Sequence, residues 1–186
     1  MFEREGRPTS CASKVREPRA ALGSATVISR LDLAGAVDLG TLNMAEFALG
    51  ATGHNATMGD CRNAWDPQFI SGGSSSGSAV AVASGAVFAS LGSDTGGSVR
   101  IPASANGVIG LKPTYGLIPR TGSMKLSPSI DVIGPMARSA RDIALLLEVL
   151  AGADGLDACS SSRPRPRYTQ QISRGVEGLR IGVPRN

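Results

Sequence analysis

Two segments rich in glycine and serine flank an apolar run in the middle of the chain. The first is Gly-Gly-Ser-Ser-Ser-Gly-Ser at 72–78, and the second is Gly-Ser-Asp-Thr-Gly-Gly-Ser at 92–98. The run between them, 79–91, is built from small and apolar residues, which predicts a buried helix. A helix of that length carries the chain about 20 Å, so the segment that follows can double back. We therefore expect the two segments to converge, with Ser74 near Ser98.

Serines in a glycine-rich setting fit several chemistries, and the sequence excludes two of them. Residues 72–77 have the glycine spacing of a phosphate-binding loop, but no lysine follows. Residues 73–77 match the Gly-x-Ser-x-Gly nucleophile elbow, which needs a later histidine, whereas the only histidine, His54, comes earlier. Two interpretations remain: a loop that caps a helix, or a serine nucleophile whose base is not histidine but commonly lysine. In the second, the N–H groups of 94–98 can hold an oxyanion.

The composition argues against several other classes. The chain has 186 residues and a net charge of +4, and its one basic cluster, Arg163–Arg167, is interrupted by prolines. We interpret that cluster as a solvated loop and expect no direct contact with nucleic acid. Three widely spaced cysteines and a single histidine favour neither a disulfide framework nor a metal site. The chain opens on polar residues and has no long apolar run, so we expect a cytoplasmic protein without membrane span, metal or cofactor.

The hydrophobic pattern mixes helices and strands, which is typical of the α/β class. Two helices are clearly marked by capping residues and glycines, one between Ser24 and Gly35 and one between Ser139 and Gly152. A shorter helix is predicted within 43–50. Short strands are predicted at three further places: 36–39, 107–111 and 179–183. The last of these usually needs a later neighbour, so we expect the chain to be part of a larger domain.

Further ordered motifs continue on both sides of the two serine segments. They are Asn-Met-Ala-Glu-Phe at 43–47, Arg-Asn-Ala-Trp-Asp-Pro at 62–67, Val-Arg-Ile-Pro-Ala at 99–103, Gly-Leu-Lys-Pro-Thr-Tyr-Gly at 110–116, Asp-Val-Ile-Gly-Pro-Met-Ala-Arg at 131–138 and Gly-Leu-Arg-Ile-Gly-Val-Pro at 178–184. Together the motifs closely resemble the amidase signature family. The resemblance implies an α/β/α sandwich with a mixed β-sheet, of which residues 1–186 form only a part.

The same resemblance implies a Ser-cisSer-Lys triad that hydrolyses a small-molecule amide through an acyl-enzyme. On the matching positions, Ser98 is the nucleophile, and Ser74, after a cis peptide bond, is the bridging serine. A neutral lysine takes a proton from Ser74, which takes one from Ser98. The resemblance assigns the oxyanion hole to the N–H groups of Thr95, Gly96, Gly97 and Ser98. It also assigns supporting roles to three residues: Ser75, Asp94 and Arg100.

The main departure from the family pattern concerns the lysine. In the family, a Lys-Asp pair lies a few residues before a Gly-x-Pro-Thr-Thr segment, which Gly6–Ser10 fits, so the pair would fall just before Met1. None of the three lysines present matches the position of the base: Lys14, Lys112 and Lys125. We therefore expect these residues to lack the catalytic lysine and to be inactive alone. A smaller departure is Asn106, where the family commonly has a small residue or Cys.

Three interpretations of the function stay open. The chain is part of an amidase that hydrolyses a C–N bond, or part of the amidase subunit of an aminoacyl-tRNA amidotransferase, which releases ammonia from glutamine for a partner, or a non-catalytic remnant. The segment 123–131 looks more like a general amidase. A glutamine-dependent ammonia assay separates the first two, and an in-frame Lys-Asp pair encoded upstream of Met1 argues against the third. The expected partners are a small-molecule amide and either a second copy of the chain or the other amidotransferase subunits.

Overall fold

The computed structural model describes residues 1–16 and 19–183. In chain order, its helices and strands are α1 (Thr26–Leu33), α2 (Ser76–Ala83), β1 (Ala89–Asp94), α3 (Arg100–Ala105), β2 (Ile109–Gly110), β3 (Val132–Ala137) and α4 (Ala140–Leu150), with 3₁₀ turns at Glu46–Ala48 and Ile172–Arg174. None of the helices in these two ranges is long and apolar enough to cross a membrane. Pro184, the last residue of the motif at 178–184, lies outside the described residues.

The three strands form one sheet in the order β1-β3-β2. β3 pairs antiparallel with β1 from Ala89↔Ala137 to Asp94↔Val132, and β2 pairs antiparallel with the end of β3. β1 and β2 therefore run in the same direction, but β3 lies between them. The predicted α/β class is confirmed. Among the strands of the described residues, however, every pairing is antiparallel rather than mixed, because the two parallel strands are not neighbours.

β3 is buried along its whole length and separates two apolar clusters. Ile133 and Ala137 lie in the larger cluster, to which α1 and α4 contribute Val27, Ile143, Leu147 and Leu150. Met136 lies in the smaller cluster, together with Val99 and, from α2, Ala79 and Val82. Successive side chains of a strand point to opposite faces, so this alternation places helices on both sides of the sheet. The layers are therefore helix, sheet and helix.

Both predicted helices are present, but Ser24 does not cap the first: the N-cap of α1 is Ala25, and the hydroxyl of Ser24 accepts from the N–H of Glu5 at 3.0 Å. α4 begins after Ser139, whose hydroxyl accepts a hydrogen bond from the N–H of Asp142 at 3.1 Å. α1 ends just before Gly35, whose φ of 81° lies in the region that favours glycine. The shorter helix predicted within 43–50 is reduced to one 3₁₀ turn.

The predicted strands and the long buried helix are only partly correct. Residues 107–111 contain β2, but 36–39 and 179–183 have no regular structure. The prediction of a helix up to Leu91 is wrong, because α2 ends at Ala83 and β1 begins at Ala89. Gly85, with a φ of 78°, lies in the turn between them. The chain therefore doubles back after a short helix, and the return path is a strand.

Candidate active site

The two serine segments lie side by side at one end of the sheet, as their spacing predicts. Ser74 and Ser75 precede α2, and residues 95–98 follow β1 and lead into α3. The N–H of Ser75 donates to the carbonyl oxygen of Ser98 at 3.1 Å, which joins the two backbones directly. The peptide bond between Gly73 and Ser74 is cis, the conformation that the family resemblance implies for it.

Serine hydroxyls at the start of α2 bind the outer edge of β1, the edge that faces away from β3. The hydroxyl of Ser75 accepts from the N–H of Ser93 at 3.2 Å and donates to the carbonyl of the same residue at 3.3 Å. Three residues later, the hydroxyl of Ser78 donates to the carbonyl of Leu91 at 2.8 Å. Gly92 makes room for this contact, because a Cβ there would lie 2.6 Å from Ser75 Oγ. The Ser75 side chain thus supports the strand that leads to Ser98.

The carboxylate of Asp94 organises the loop that carries Ser98. It is fully buried at the end of β1, where Oδ1 accepts from the N–H of Gly97 at 2.9 Å and Oδ2 from that of Val99 at 3.1 Å. Arg100 donates to both oxygens, from Nε at 3.0 Å and from Nη2 at 2.9 Å. Burial opposes ionisation of Asp94, but the hydrogen bonds from Arg100, Val99 and Gly97 outweigh it and lower the pKa of the carboxyl.

The oxyanion hole expected from the sequence needs one correction. Because the N–H of Gly97 already donates to Asp94, it is not free to bind a carbonyl oxygen. Within residues 1–16 and 19–183, the N–H groups of Thr95, Gly96 and Ser98 have no acceptor. Gly97 contributes its conformation instead, since its φ of 129° lies where other residues are strained. Three N–H groups of the loop are therefore available to a ligand.

A contact that sequence reasoning missed fixes the first residue of this loop. The hydroxyl of Thr95 donates to Oδ1 of Asp131 at 2.5 Å. The other oxygen, Oδ2, accepts from the N–H groups of Leu126 and Ser127 at 2.6 and 2.7 Å. Asp131 is buried and immediately precedes β3. It begins the motif at 131–138, but its distance along the chain from Thr95 gives no local signal of the contact.

The side chain of Ser74 is fully buried, and its hydroxyl has no hydrogen-bond partner within the described residues. The same is true of the neighbouring Ser76. Ser98 is half-buried, and its link to the Ser74 segment runs through the backbone. The lysines bind elsewhere or face solvent: Lys112 Nζ donates to the carbonyl of Pro113 at 3.1 Å, and Lys14 and Lys125 are exposed.

A cavity of about 700 Å³ opens beside the outer edge of β1. Its walls are mostly apolar and come from α1, residues 36–44 and β1, and they include Ser75 and Ser93. A space of this size suits a small molecule or an extended segment of chain. Within the part of the chain that the structure describes, no three His, Cys, Asp or Glu side chains come together as metal ligands.

Comparisons with known proteins agree with these features. The chain is 49% identical over 185 residues to a glutamyl-tRNA(Gln) amidotransferase subunit of Roseiflexus castenholzii, an alignment that covers 100% of this chain and 38% of the relative. The solved structure of the corresponding subunit from Thermotoga maritima is 43% identical, with a TM-score of 0.91 over 96% of this chain and 39% of its own. The solved 6-aminohexanoate cyclic dimer hydrolase is 35% identical, with a TM-score of 0.88 over 97% of this chain and 38% of its own.

The chain thus spans about two fifths of the length of the curated relatives it matches. Residues 2–186 match the Amidase family, which is nearly the full sequence. Three features of the chain agree with this match: the motifs singled out from the sequence, the helix–sheet–helix layers and the two joined serine segments. The chain belongs to the amidase family.

Proposed function

We propose that the two serine segments form the nucleophile side of an amidase active site, with Ser98 as the nucleophile and Ser74 as the bridging serine. Membership of the amidase family supports the reaction class. The observation that carries the proposal is the hydrogen bond from Ser75 N to Ser98 O. It holds the two serines on adjacent backbones, beside a loop whose N–H groups are available to a ligand.

In the proposed reaction, Ser98 Oγ attacks the carbonyl carbon of a small-molecule amide. Its proton passes to Ser74 Oγ, and the proton of Ser74 passes to a neutral lysine. The N–H groups of Thr95, Gly96 and Ser98 hold the negative charge that develops on the carbonyl oxygen. The protons return by the same route to the leaving nitrogen, the C–N bond breaks, and water then hydrolyses the acyl-enzyme.

The unpaired hydroxyl of Ser74 supports the need for such a base. A buried hydroxyl without a partner is costly, so a group that completes its hydrogen bonds is expected beside it. The resemblance assigns the base to the lysine of a Lys-Asp pair that precedes the position of Met1. To accept a proton the lysine must be neutral, and burial lowers the lysine pKa from its usual value of about 10.4.

A second candidate function is that of the amidase subunit of glutamyl-tRNA(Gln) amidotransferase. It is favoured by the 49% identity to the Roseiflexus castenholzii protein, which extends over the whole of this chain. In this case the substrate is the side-chain amide of glutamine and the product is ammonia. This candidate function also implies the partner subunits of the amidotransferase and a cytoplasmic location. The chemical step on Ser98 is the same for both candidates.

The experiment compares the 186-residue chain with a graft, in which these residues replace the matching stretch of the Thermotoga maritima amidotransferase subunit. We expect the chain alone to be inactive and the graft to hydrolyse amides. Activity should disappear in Ser98→Ala and fall by about 10²–10⁴-fold when the upstream lysine of the graft becomes alanine. A folded graft without activity would contradict the proposal, and Ser98-dependent activity without that lysine would show that another group is the base.

The second candidate is tested on the same graft with glutamine as the substrate. Ammonia release that requires the other Thermotoga maritima subunits favours the amidotransferase function. Turnover of simple amides that is independent of those subunits favours the hydrolase. The Ser98→Ala graft serves as the control in both assays, because it preserves the fold and removes the nucleophile.

A further inference from the structure

The side chain of Asn106 binds the helix that it ends, α3, and two other segments around the serine site. It is fully buried just after α3. Nδ2 donates to the carbonyl of Ser71 at 2.7 Å and to that of Pro102 at 2.9 Å. Oδ1 accepts from the N–H of Ala64 at 3.0 Å. Both donors and one acceptor position of the amide are therefore used, and all three partners are backbone groups.

Two of these partners belong to the segments that carry the serines. Ser71 lies three residues before Ser74, and Pro102 lies four residues after Ser98 in α3. Between the two, Gly72 packs so tightly that a Cβ there would lie 2.7 Å from the Cα of Pro102. Asn106 is thus a short polar link between the backbone that leads into Ser74 and the helix that follows Ser98.

The third partner, Ala64, belongs to a loop that covers this link. Around Ala64, the loop 62–70 returns onto the end of α3 through two more side chains. Trp65 Nε1 donates to the carbonyl of Asn106 at 2.8 Å, and Asn63 Nδ2 donates to that of Ala105 at 2.8 Å. The loop holds Asn106 in a buried setting, where a hydrogen bond is strong and an unpaired group is costly.

We propose that Asn106 is a positioning residue that sets the placement of the Ser74 segment relative to Ser98. A cysteine or another small side chain at this position cannot donate to two carbonyls, so the link depends on the amide of Asn106. Its catalytic consequence rests on the proposed function, because the serine spacing matters only if a proton passes between Ser74 and Ser98. The link itself can be tested without any activity.

The first test is amide hydrogen exchange on the 186-residue chain. The reporter is the N–H of Ser75, which bonds to Ser98 O, and its exchange rate is divided by the mean rate of the α4 amides. Asn106→Asp keeps the shape and an acceptor but loses both donors. We expect it to raise this ratio about 10- to 100-fold, since the buried carbonyl of Ser71 loses its side-chain donor and the segment opens locally, whereas the carbonyl of Pro102 keeps the backbone N–H of Asn106 at 3.1 Å.

The control is Thr26→Val, because the hydroxyl of Thr26 also joins two distant segments, α1 and Asp154, through a partly buried hydrogen bond of 2.7 Å. Among the described residues, no hydrogen bond connects α1 or Asp154 to 71–75 or 98–106, so this variant should change the ratio by less than about twofold even where it lowers overall stability. If Asn106→Asp does not fold, Asn106→Cys takes its place, since cysteine fits the site without charge. An unchanged ratio in the folded Asn106 variant, or an equal rise in Thr26→Val, would overturn the proposal.

The second test measures kinetics in the active graft described above. Because a misplacement of about 1 Å can cost about 100-fold in rate, Asn106→Cys should lower kcat by about 10- to 100-fold and leave KM nearly unchanged. Thr26→Val should change kcat much less. An unchanged kcat in the Asn106 variant would overturn the positioning role. A graft that is inactive without any substitution contradicts the proposed function, and the exchange ratio then decides the Asn106 link by itself.

Discussion

The N–H of Gly97 points back at the carboxylate of Asp94, with 2.9 Å between the nitrogen and Oδ1. The turn before Ser98 is therefore fixed from inside the protein by a buried anion. On the solvent side, the half-exposed guanidinium of Arg100 pairs with the same carboxylate at 2.9 Å. The order of the loop that presents Ser98 thus depends on the ionisation of one carboxyl group.

Acid should weaken this loop in a predictable direction. The pKa of Asp94 is lower in the folded chain than in the unfolded one, so its ionisation stabilises the fold. That contribution is complete above the unfolded pKa of about 3.9 and is lost as the pH falls through the lower folded value. We expect Asp94→Asn to destabilise the chain at pH 7 by about 1–3 kcal/mol and to show a smaller further loss in acid.

Thermal unfolding of wild type and Asp94→Asn between about pH 7 and pH 2 measures this difference, because the unfolded carboxyl titrates inside that range. Glu177→Gln is the control, since Glu177 is an exposed carboxylate far along the chain from the loop. An acid dependence in Asp94→Asn equal to that of the wild type would show that Asp94 is not the group responsible.

The contact between Thr95 and Asp131 should appear as energetic coupling. Thr95→Val removes the hydroxyl and keeps the shape, and Asp131→Asn weakens its acceptor. Because both variants act on the same hydrogen bond, their destabilisations should not add, with a coupling energy of about 0.5–3 kcal/mol. Urea unfolding of the two single variants and the double variant gives this value. Additive effects would mean that the bond contributes nothing to the fold.

Gly92 should tolerate no side chain. In Gly92→Ala, the new Cβ would lie 2.6 Å from Ser75 Oγ and 2.9 Å from the Cε of Met136, so the start of α2 or the core must shift. We expect a loss of about 1–3 kcal/mol in urea unfolding. Gly23→Ala is the matched control, because no atom lies within 4 Å of its Cβ position. Equal stabilities of the two variants would contradict the close approach.

Ser74 and Ser75 are neighbours, but their alanine variants should move stability in opposite directions. Ser74→Ala removes a buried hydroxyl without a partner in the described residues, so the 186-residue chain should keep its stability or gain up to about 1 kcal/mol. Ser75→Ala removes the hydroxyl that bonds to both backbone groups of Ser93, and should lose about 1–3 kcal/mol. Differential scanning calorimetry of the two variants checks this. A clear loss in Ser74→Ala would mean that its hydroxyl is already paired.

Local signals explain why some elements can be predicted from the sequence. α4 follows a capping box, whose hydrogen bond joins two residues three positions apart. Because both residues lie close together in the sequence, the start of this helix can be predicted from the local pattern alone. The run 79–91 has no such marker. A continuous apolar segment is compatible with a buried helix or a buried strand, and this one contains both.

The sequence does not predict β3, because Gly134 and Pro135 suggest a turn. In the structure, Pro135 accepts from the N–H of Leu111 through its carbonyl, and it has no N–H to return. Its place in the centre of the sheet is set by tertiary packing, which no local pattern contains. The same holds at the site: the serines can be placed by motif, but not the orientation of the Gly97 N–H or the approach of Asp131.

The serine hydroxyls that cover the outer edge of β1 have a consequence for association between molecules. An exposed strand edge offers backbone groups to any other extended chain, which is a common route to aggregation. Here the carbonyl of Leu91 and both backbone groups of Ser93 are already bonded to Ser78 and Ser75. A second strand would have to displace these intramolecular bonds before it could pair. Ser75 and Ser78 therefore occupy three backbone groups of this edge that a second strand would otherwise use.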